Sequence, residues 1–291
     1  ITARYSSCYN SILISVEPEE FLNYRLGERK SEFSNKVRDL LSRTEQFEGC
    51  TLKDTLNQEL ISFFVYEASD QDELKIPIFR IKESLKYSKE IAYHLIFKLI
   101  KLAINKSCVV AVIEDYFIAD FVKEILELDK FFSEGQKYVK FVLNKMIKTF
   151  EFTDELQNLS GFLDELGMKL SVKIGNFNAS DKNIFQNPII AADIEKSFYP
   201  LKVVDANLPS YIIPIRPGWA EEFVDEKLAN LLLFGAKRDL MMRREMVYYR
   251  ASKPKILEAP ARILWYVSKS QSKRNFPDEM STALLSFVRY T

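Results

Sequence analysis

Residues 89–114 read KEIAYHLIFKLIKLAINKSCVVAVIE, and this stretch decides the fold class. Its apolar residues recur every three or four positions as far as Asn105, which predicts an amphipathic helix over 89–105. The run Cys108–Ile113 that follows is continuously apolar, as expected of a central strand covered on both faces. A helix that leads directly into a buried strand is typical of α/β proteins.

The pattern continues on both sides of this stretch. Towards the N-terminus, the β-rich runs 60–68 and 74–82 flank a polar turn and predict a hairpin, preceded by a strand over 11–16 and a helix over 31–46. Towards the C-terminus, the spacing predicts a helix over 116–132 and a strand over 138–143. Residues 1–150 are therefore predicted to form one α/β layer domain.

The rest of the chain divides into two parts. Residues 151–200 combine a short predicted helix over 153–166 with a polar stretch over 175–183, which indicates a connector that packs partly on both neighbours. Residues 201–291 contain short β-rich runs over 211–215, 246–250 and 262–268 and a predicted helix over 219–234. This pattern predicts a small mixed β-barrel domain, and gives the whole chain an α/β class with α+β character.

Composition excludes several classes of function. The 291 residues carry 41 Lys plus Arg against 41 Asp plus Glu, so any basic surface must be local. One histidine, His94, and three widely spaced cysteines supply neither His-based triads nor metal sites, and we expect no metal. Reduced cysteines and the lack of any long apolar run predict a cytoplasmic protein that does not enter a membrane.

The two ends of the sequence suggest a longer chain. The first residue is Ile1 and the last residues form an apolar run that stops at Thr291. We expect a fragment whose C-terminal domain is truncated. Oligomeric state stays open at this point, and a homo-oligomer is one possibility.

The stretches Phe79–Ala103 and Cys108–Glu114 resemble the second half of the GNAT acetyltransferase fold. The resemblance implies that acetyl-CoA would bind at the strand-to-helix turn, where Lys82, Lys86 and Lys89 would contact its phosphates. Members that bind acetyl-CoA carry glycines in this turn, because backbone N–H groups must approach a diphosphate closely. Residues 82–90 contain none, so we expect a degenerate domain without a cofactor, and acetyl-CoA only if the protein is an enzyme.

The same resemblance suggests catalytic candidates at the end of the buried strand. Tyr116 or Tyr138 would act as the general acid towards a leaving thiolate, and Glu114 as the base for an acceptor amine. The alternative is structural, with Asp115 capping the next helix and Tyr116 packed in the core.

The C-terminal third resembles a bacterial family that joins a GNAT-like module to a PUA-like, ASCH-type domain, some of whose members carry a PIN-like nuclease domain at the N-terminus. Residues 198–220, 247–250 and 259–268 carry this resemblance, and together with the first it spans roughly residues 75–291. It implies RNA or another nucleic acid as the partner. Gly235 and Lys237 match the family's cleft element, whereas Leu240 stands where that element has Glu.

A local basic stretch supports this implication. Residues 237–274 contain eleven Lys or Arg against three Asp or Glu, a balance of +8 in a neutral protein. Strand alternation predicts that Ile263, Trp265 and Val267 face the core, so that the residues between them face a cleft. The nucleic-acid-binding candidates are Arg216, Lys237, Arg238, Arg243, Arg244, Tyr248, Arg250, Arg262, Tyr266, Ser268 and Lys269. The alternative is a solvated basic face without a ligand.

Three functions follow from these patterns. The first is a nucleic-acid-binding protein, with RNA expected, that contains a degenerate acetyltransferase-like domain. The second is an N-acetyltransferase that acts on a nucleic acid or protein, and enzyme status therefore stays open. The third is a scaffold within a toxin or defence protein whose N-terminal part is the effector. A splayed strand pair with an open groove would favour the second function, and closed surfaces the third.

Overall fold

The computed structural model describes residues 5–9, 29–43, 46–54, 59–67, 72–85, 87–168, 184–215, 258–267 and 286–288. The predicted elements over 11–16, 219–234 and 246–250 lie outside these residues. Within the described residues, no helix combines the length and the apolar character needed to cross a bilayer.

Two four-stranded sheets form the centre of the molecule. The first is antiparallel, in the order β1 (Tyr5–Tyr9), β2 (Phe47–Asp54), β3 (Leu60–Glu67) and β5 (Ile78–Ile81). The second has the order β4 (Glu73–Ile76), β6 (Val110–Ile113), β8 (Lys137–Phe141) and β7 (Phe132–Glu134), with β4 parallel to β6. Only Pro77 separates β4 from β5, so one stretch of chain belongs to both sheets.

One face of the two sheets packs against two helices, α2 (Ser88–Asn105) and α3 (Asp120–Leu128). The apolar stripe of α2 repeats at helical spacing and is buried along its whole length. The residues of β6 alternate between the faces, because Ala111 and Ile113 join this core whereas Val110 and Val112 join another.

Two separate layers cover the opposite face. Helix α1 (Lys30–Ser42) packs on β3 and β5 through Phe33, Val37 and Leu40. Helices α4 (Phe152–Glu165) and α5 (Pro188–Ser197), with the 3-10 turn Ile184–Gln186, pack on β6 and β8. The segment predicted as a connector thus completes the core of the α/β unit.

Short strands follow the α/β unit. Strand β10 (Lys202–Val203) pairs in parallel with β9 (Met146–Ile147). Strand β12 (Ala261–Val267) lies between β11 (Ser210–Ile215), to which it is parallel, and the antiparallel β13 (Ser286–Val288). Ile263 of β12 is buried, as the alternation predicted.

The predicted α/β class is confirmed by these layers, and two boundaries differ from the prediction. The helix predicted over 116–132 is shorter, because residues 132–134 form a strand of the β7–β8 hairpin, and Gly135 makes the turn at a φ of 60°. The helix predicted over 31–46 ends earlier, at Ser42, and strand β2 begins at Phe47.

Candidate functional site

Strands β4 and β6 are parallel neighbours that diverge after four paired residues. Ile76 and Ile113 are the last register pair, and the Glu114 N–H still donates to the Ile76 carbonyl at 2.9 Å. Beyond Pro77 the chain pairs with β3 only. The Lys82 N–H donates to the Ile61 carbonyl, so the N–H of Phe79, three residues earlier, points to the opposite edge, into the gap between the strands.

The carboxylate of Asp115 fills this gap. It accepts hydrogen bonds from the Phe79 N–H at 2.8 Å and from the Phe117 N–H at 3.2 Å, and it forms an ion pair with Arg80. Both charged side chains are 0% exposed. Arg80 also donates to the Phe117 carbonyl at 3.1 Å, and its guanidinium lies 5.3 Å from the centroid of the Phe33 ring. The strand divergence is therefore closed by a fully partnered ion pair.

This arrangement overturns the structural alternative for Asp115 and Tyr116. Ala119 is the residue that precedes helix α3, and Asp115 binds β5 instead of capping the helix. Tyr116 is 57% exposed and is not packed in the core.

The predicted catalytic residues lie on opposite faces of the sheet. Glu114 accepts a hydrogen bond from Lys137 at 2.7 Å, and this bond raises the pKa of Lys137. Tyr138, the next residue along β8, packs against the α2 and α3 core, where burial raises its pKa. The structure therefore separates Tyr138 from Glu114, and leaves Tyr116 as the tyrosine next to Glu114.

Further charged residues line the Glu114 side of the sheet. Glu73 and Lys75 alternate with the buried Leu74 and Ile76 along β4, and their charged groups are 3.4 Å apart. Burial raises the pKa of Glu73, and Lys75 opposes that shift. The sequence analysis missed this pair, although the charged–apolar alternation of residues 73–76 is the signal that would have revealed it.

The predicted cofactor turn holds its lysines in ion pairs. Lys82 pairs with Glu59, and Lys89 lies 3.5 Å from Glu124. Lys86 is outside the described residues. Inside the turn, the carbonyls of residues 82, 83 and 85 converge on the Ser88 hydroxyl at 2.7 to 3.0 Å. Backbone acceptors therefore line the interior of the turn, whereas a diphosphate requires donors.

The Arg262 side chain binds a buried carboxylate and does not line the predicted open cleft. Its Nε and Nη2 atoms donate to the carboxylate of Glu195 in α5, at 3.2 and 2.5 Å, and Nη2 also donates to the Val203 carbonyl at 2.7 Å. The guanidinium is drawn inward because a buried carboxylate is available there. We therefore correct the expectation that Arg262 lines an open cleft.

The remaining nucleic-acid-binding candidates stay predictions. Tyr266 stands opposite Pro214 in the β11–β12 register. The others lie outside the described residues, namely Arg216, Lys237, Arg238, Arg243, Arg244, Tyr248, Arg250, Ser268 and Lys269.

Glu195 is the centre of a four-donor cradle that the sequence analysis did not identify. Besides the two Arg262 donors, it accepts from Lys202 at 3.3 Å and from the Val203 N–H at 2.8 Å. Burial lowers the pKa of Lys202, and Glu195 opposes that shift. No sequence signal pointed to this cradle, because Arg262 is 67 residues from Glu195. No local pattern pairs Glu195 with Lys202 or the Val203 N–H.

Lys140 is a second buried charge without a sequence signal. Its ammonium donates to the carbonyls of Asp129, at the end of α3, and Lys196, in the last turn of α5, at 2.8 and 2.7 Å. Burial lowers the pKa of Lys140 to about 7. No group of three or more His, Cys, Asp or Glu side chains in the described part of the chain is placed to hold a metal ion.

Comparison with known proteins finds likeness at the level of structure only. No family model matches the chain, and no curated protein matches it. Solved acetyltransferases resemble about half of it. A GNAT family acetyltransferase from Elizabethkingia anophelis with acetyl-CoA bound matches at 13% identity over 48% of this chain and 99% of its own, with a TM-score of 0.36. Ard1 from Thermoplasma volcanium matches at 14% identity over 47% and 99%, with a TM-score of 0.32.

Proposed function

We propose that this chain is a nucleic-acid-binding protein, with RNA as the expected partner, whose acetyltransferase-like α/β unit is a scaffold that does not bind acetyl-CoA. The observation that carries the second half of this proposal is the Asp115 carboxylate in the gap between the diverging strands. The first half rests on the local basic stretch of residues 237–274.

A ligand that entered the gap would have to displace Asp115. The Phe79 N–H, which a ligand amide or thioester would meet at this strand edge, already has Asp115 as its acceptor at 2.8 Å. Displacement would also leave Arg80 as a buried charge without its counter-ion, which costs about 3–5 kcal/mol in proteins where one partner is removed. The unoccupied protein is thus strongly favoured over a complex at this position.

The strand-to-helix turn gives independent support. A diphosphate at this turn would compete with Glu59 for Lys82 and with Glu124 for Lys89. Exposed ion pairs of this kind are weak, so they alone would not prevent binding. The carbonyls of residues 82 and 85 that surround the Ser88 hydroxyl are acceptors, so they disfavour a phosphate at that position.

A calorimetric titration with acetyl-CoA tests the scaffold half of the proposal. We expect no binding heat from the wild-type protein. A dissociation constant in the micromolar range would contradict the proposal and would favour the second function, N-acetyltransferase. Glu114 and Tyr116 at the strand divergence are the residues that would then be substituted first.

Titration with fluorescently labelled single-stranded RNA, at low and high salt, tests the proposed binding of nucleic acid. Each phosphate contact made by an arginine adds about 0.7 to the slope of log affinity against log salt concentration for single strands. Arg243→Ala/Arg244→Ala should therefore weaken binding and reduce this slope by about 1.4. The matched control is Arg29→Ala/Arg43→Ala, which removes two exposed arginines of the α/β unit. Equal affinity of the two double variants would contradict the proposed site.

A further inference from the structure

The donors around Glu195 form an anion-binding site that an internal carboxylate occupies. Arg262 supplies two donors, Lys202 an ammonium and Val203 a backbone N–H, and all four converge on one carboxylate that is 0% exposed. This is a set of donors with two positive charges around a single negative group. The two positive charges of this set match an anion of greater charge than a carboxylate, and the residues that carry them lie on strands β10 and β12.

The geometry of Arg262 suits a phosphate group. A guanidinium presents parallel N–H groups that match the oxygens of either a carboxylate or a phosphate. The Arg262 side chain is 11% exposed and that of Lys202 is 9% exposed, so a small part of each side chain lies at the surface. Strand β12 also lies within the basic stretch of residues 237–274.

We infer that Glu195 acts as an autoinhibitory anion, which occupies a phosphate site formed by Arg262, Lys202 and the Val203 N–H until a phosphate group displaces it. The phosphate belongs to RNA if the proposed function holds, and this part of the inference rests on that function. Free inorganic phosphate offers the same chemistry and serves as the second probe. Arg262 would then return to the nucleic-acid-binding set in the displaced state.

Glu195→Gln is the variant that tests the inference. The amide keeps an acceptor for the Val203 N–H and removes the negative charge that competes with phosphate. The control is Glu155→Gln, which makes the same chemical change at a carboxylate that pairs with Lys145 and is not one of the cradle residues. Because a charge-assisted contact adds about 1.5 kcal/mol or more, Glu195→Gln should bind phosphate or RNA roughly tenfold more tightly than Glu155→Gln.

Binding is measured with inorganic phosphate by calorimetry and with labelled single-stranded RNA by anisotropy, on the full chain. Tighter binding of both probes by Glu195→Gln supports the inference and identifies RNA as a source of the phosphate. A gain with inorganic phosphate alone, without RNA binding by either protein, supports the anion site and contradicts the proposed function. Equal affinities of the two variants for both probes overturn the inference and leave the proposed function intact.

The double variant Glu195→Gln/Arg262→Ala checks that the gain arises at this site. The gain should disappear, and its persistence would overturn the inference. Thermal unfolding is recorded for each variant, because Glu195 is fully buried. If Glu195→Gln does not fold, Glu195→Asp replaces it. Its carboxylate is one methylene shorter and retracts from Arg262, so the same direction of change is expected.

Discussion

Lys140 shows how a single residue links two helices. Its ammonium bonds the carbonyls of Asp129 and Lys196, which lie at the C-terminal ends of α3 and α5, where helix dipoles favour a positive charge. Burial acts in the opposite direction and lowers the pKa of Lys140 from 10.5 to about 7. The burial effect is the larger one, so the folded protein carries this charge at a cost.

This cost predicts a specific dependence of stability on pH. Below about pH 7 both the folded and the unfolded chain hold the proton on Lys140, and the full cost of burying the charge is present. Between about pH 7 and 10.5 the unfolded chain binds more protons than the folded one, so the free energy of unfolding rises with pH. This contribution approaches about 1.4 kcal/mol per pH unit.

Denaturant unfolding of the wild-type protein and of Lys140→Met, across this pH range, measures the contribution. The wild-type free energy of unfolding should rise relative to that of the variant as pH increases, because methionine has no proton to lose. Parallel pH curves for the two proteins would show that Lys140 titrates normally in the fold.

The Arg80–Asp115 pair makes a separate prediction about stability. Asp115→Asn removes the charge that compensates the buried guanidinium, so the free energy of unfolding should fall by about 3–5 kcal/mol. The control is Asp120→Asn, which breaks the exposed pair with Lys123 and should leave stability close to the wild-type value. Urea unfolding monitored by circular dichroism compares the two. Similar losses in both variants would contradict the closure of the strand divergence by Asp115.

Some elements could be predicted from local patterns and others could not. The helix over 88–105 and the strand over 110–113 follow directly from apolar spacing, because one face of the helix and both faces of the strand pack against apolar residues. Strand β7 was missed because Phe131 and Phe132 continue the apolar spacing of α3, and only the hairpin pairing with β8 makes Phe132 part of a strand. The local signal for this hairpin is Gly135 at its turn, which the apolar spacing outweighed.

Some residues of the candidate site could likewise be located from the sequence, and others could not. Glu114 and Tyr116 could be located from the sequence because they follow the buried strand. The partners Arg80 and Asp115 are 35 residues apart. The core-facing positions also shift by one residue at Pro77, between β4 and β5, so strand alternation alone does not predict that the two side chains meet. Glu195 in α5 and Arg262 in β12 are 67 residues apart, so no local pattern in the sequence connects them.

The start of α5 is a local feature with its own test. Asn187 accepts hydrogen bonds from the Ile189 and Ile190 N–H groups at 2.9 and 3.4 Å, and Pro188 occupies the first helical position. Asn187→Ala removes this N-cap and should lower the free energy of unfolding by about 1 kcal/mol. Asn187→Gly should cost less, because glycine is itself tolerated at this position. Urea unfolding of both variants distinguishes a true cap from an incidental contact, for which alanine would have no effect.

At the scale of the whole molecule, residues 152–168 and 184–208 pack into the core of the α/β unit. Val110, Val112, Val139 and Phe141 on the sheets form one core with Phe152, Leu159, Leu163, Phe198 and Val203 from this segment. Phe198 is fully buried and stacks on Phe141, with ring centroids 5.6 Å apart. The predicted boundary near residue 150 therefore passes through a hydrophobic core.

Truncation tests this boundary. A chain that ends at residue 150 exposes the apolar face of β6 and β8, so we expect it to aggregate or to bind a hydrophobic dye strongly. A chain that ends at residue 209 keeps α4, α5 and β10 and should fold with a cooperative unfolding transition, although it lacks Arg262 opposite Glu195. Size-exclusion chromatography and near-ultraviolet circular dichroism compare the two. Cooperative folding of the shorter chain would show that helices α4 and α5 form an accessory layer, because the sheets would then bury enough apolar surface with α1, α2 and α3 alone.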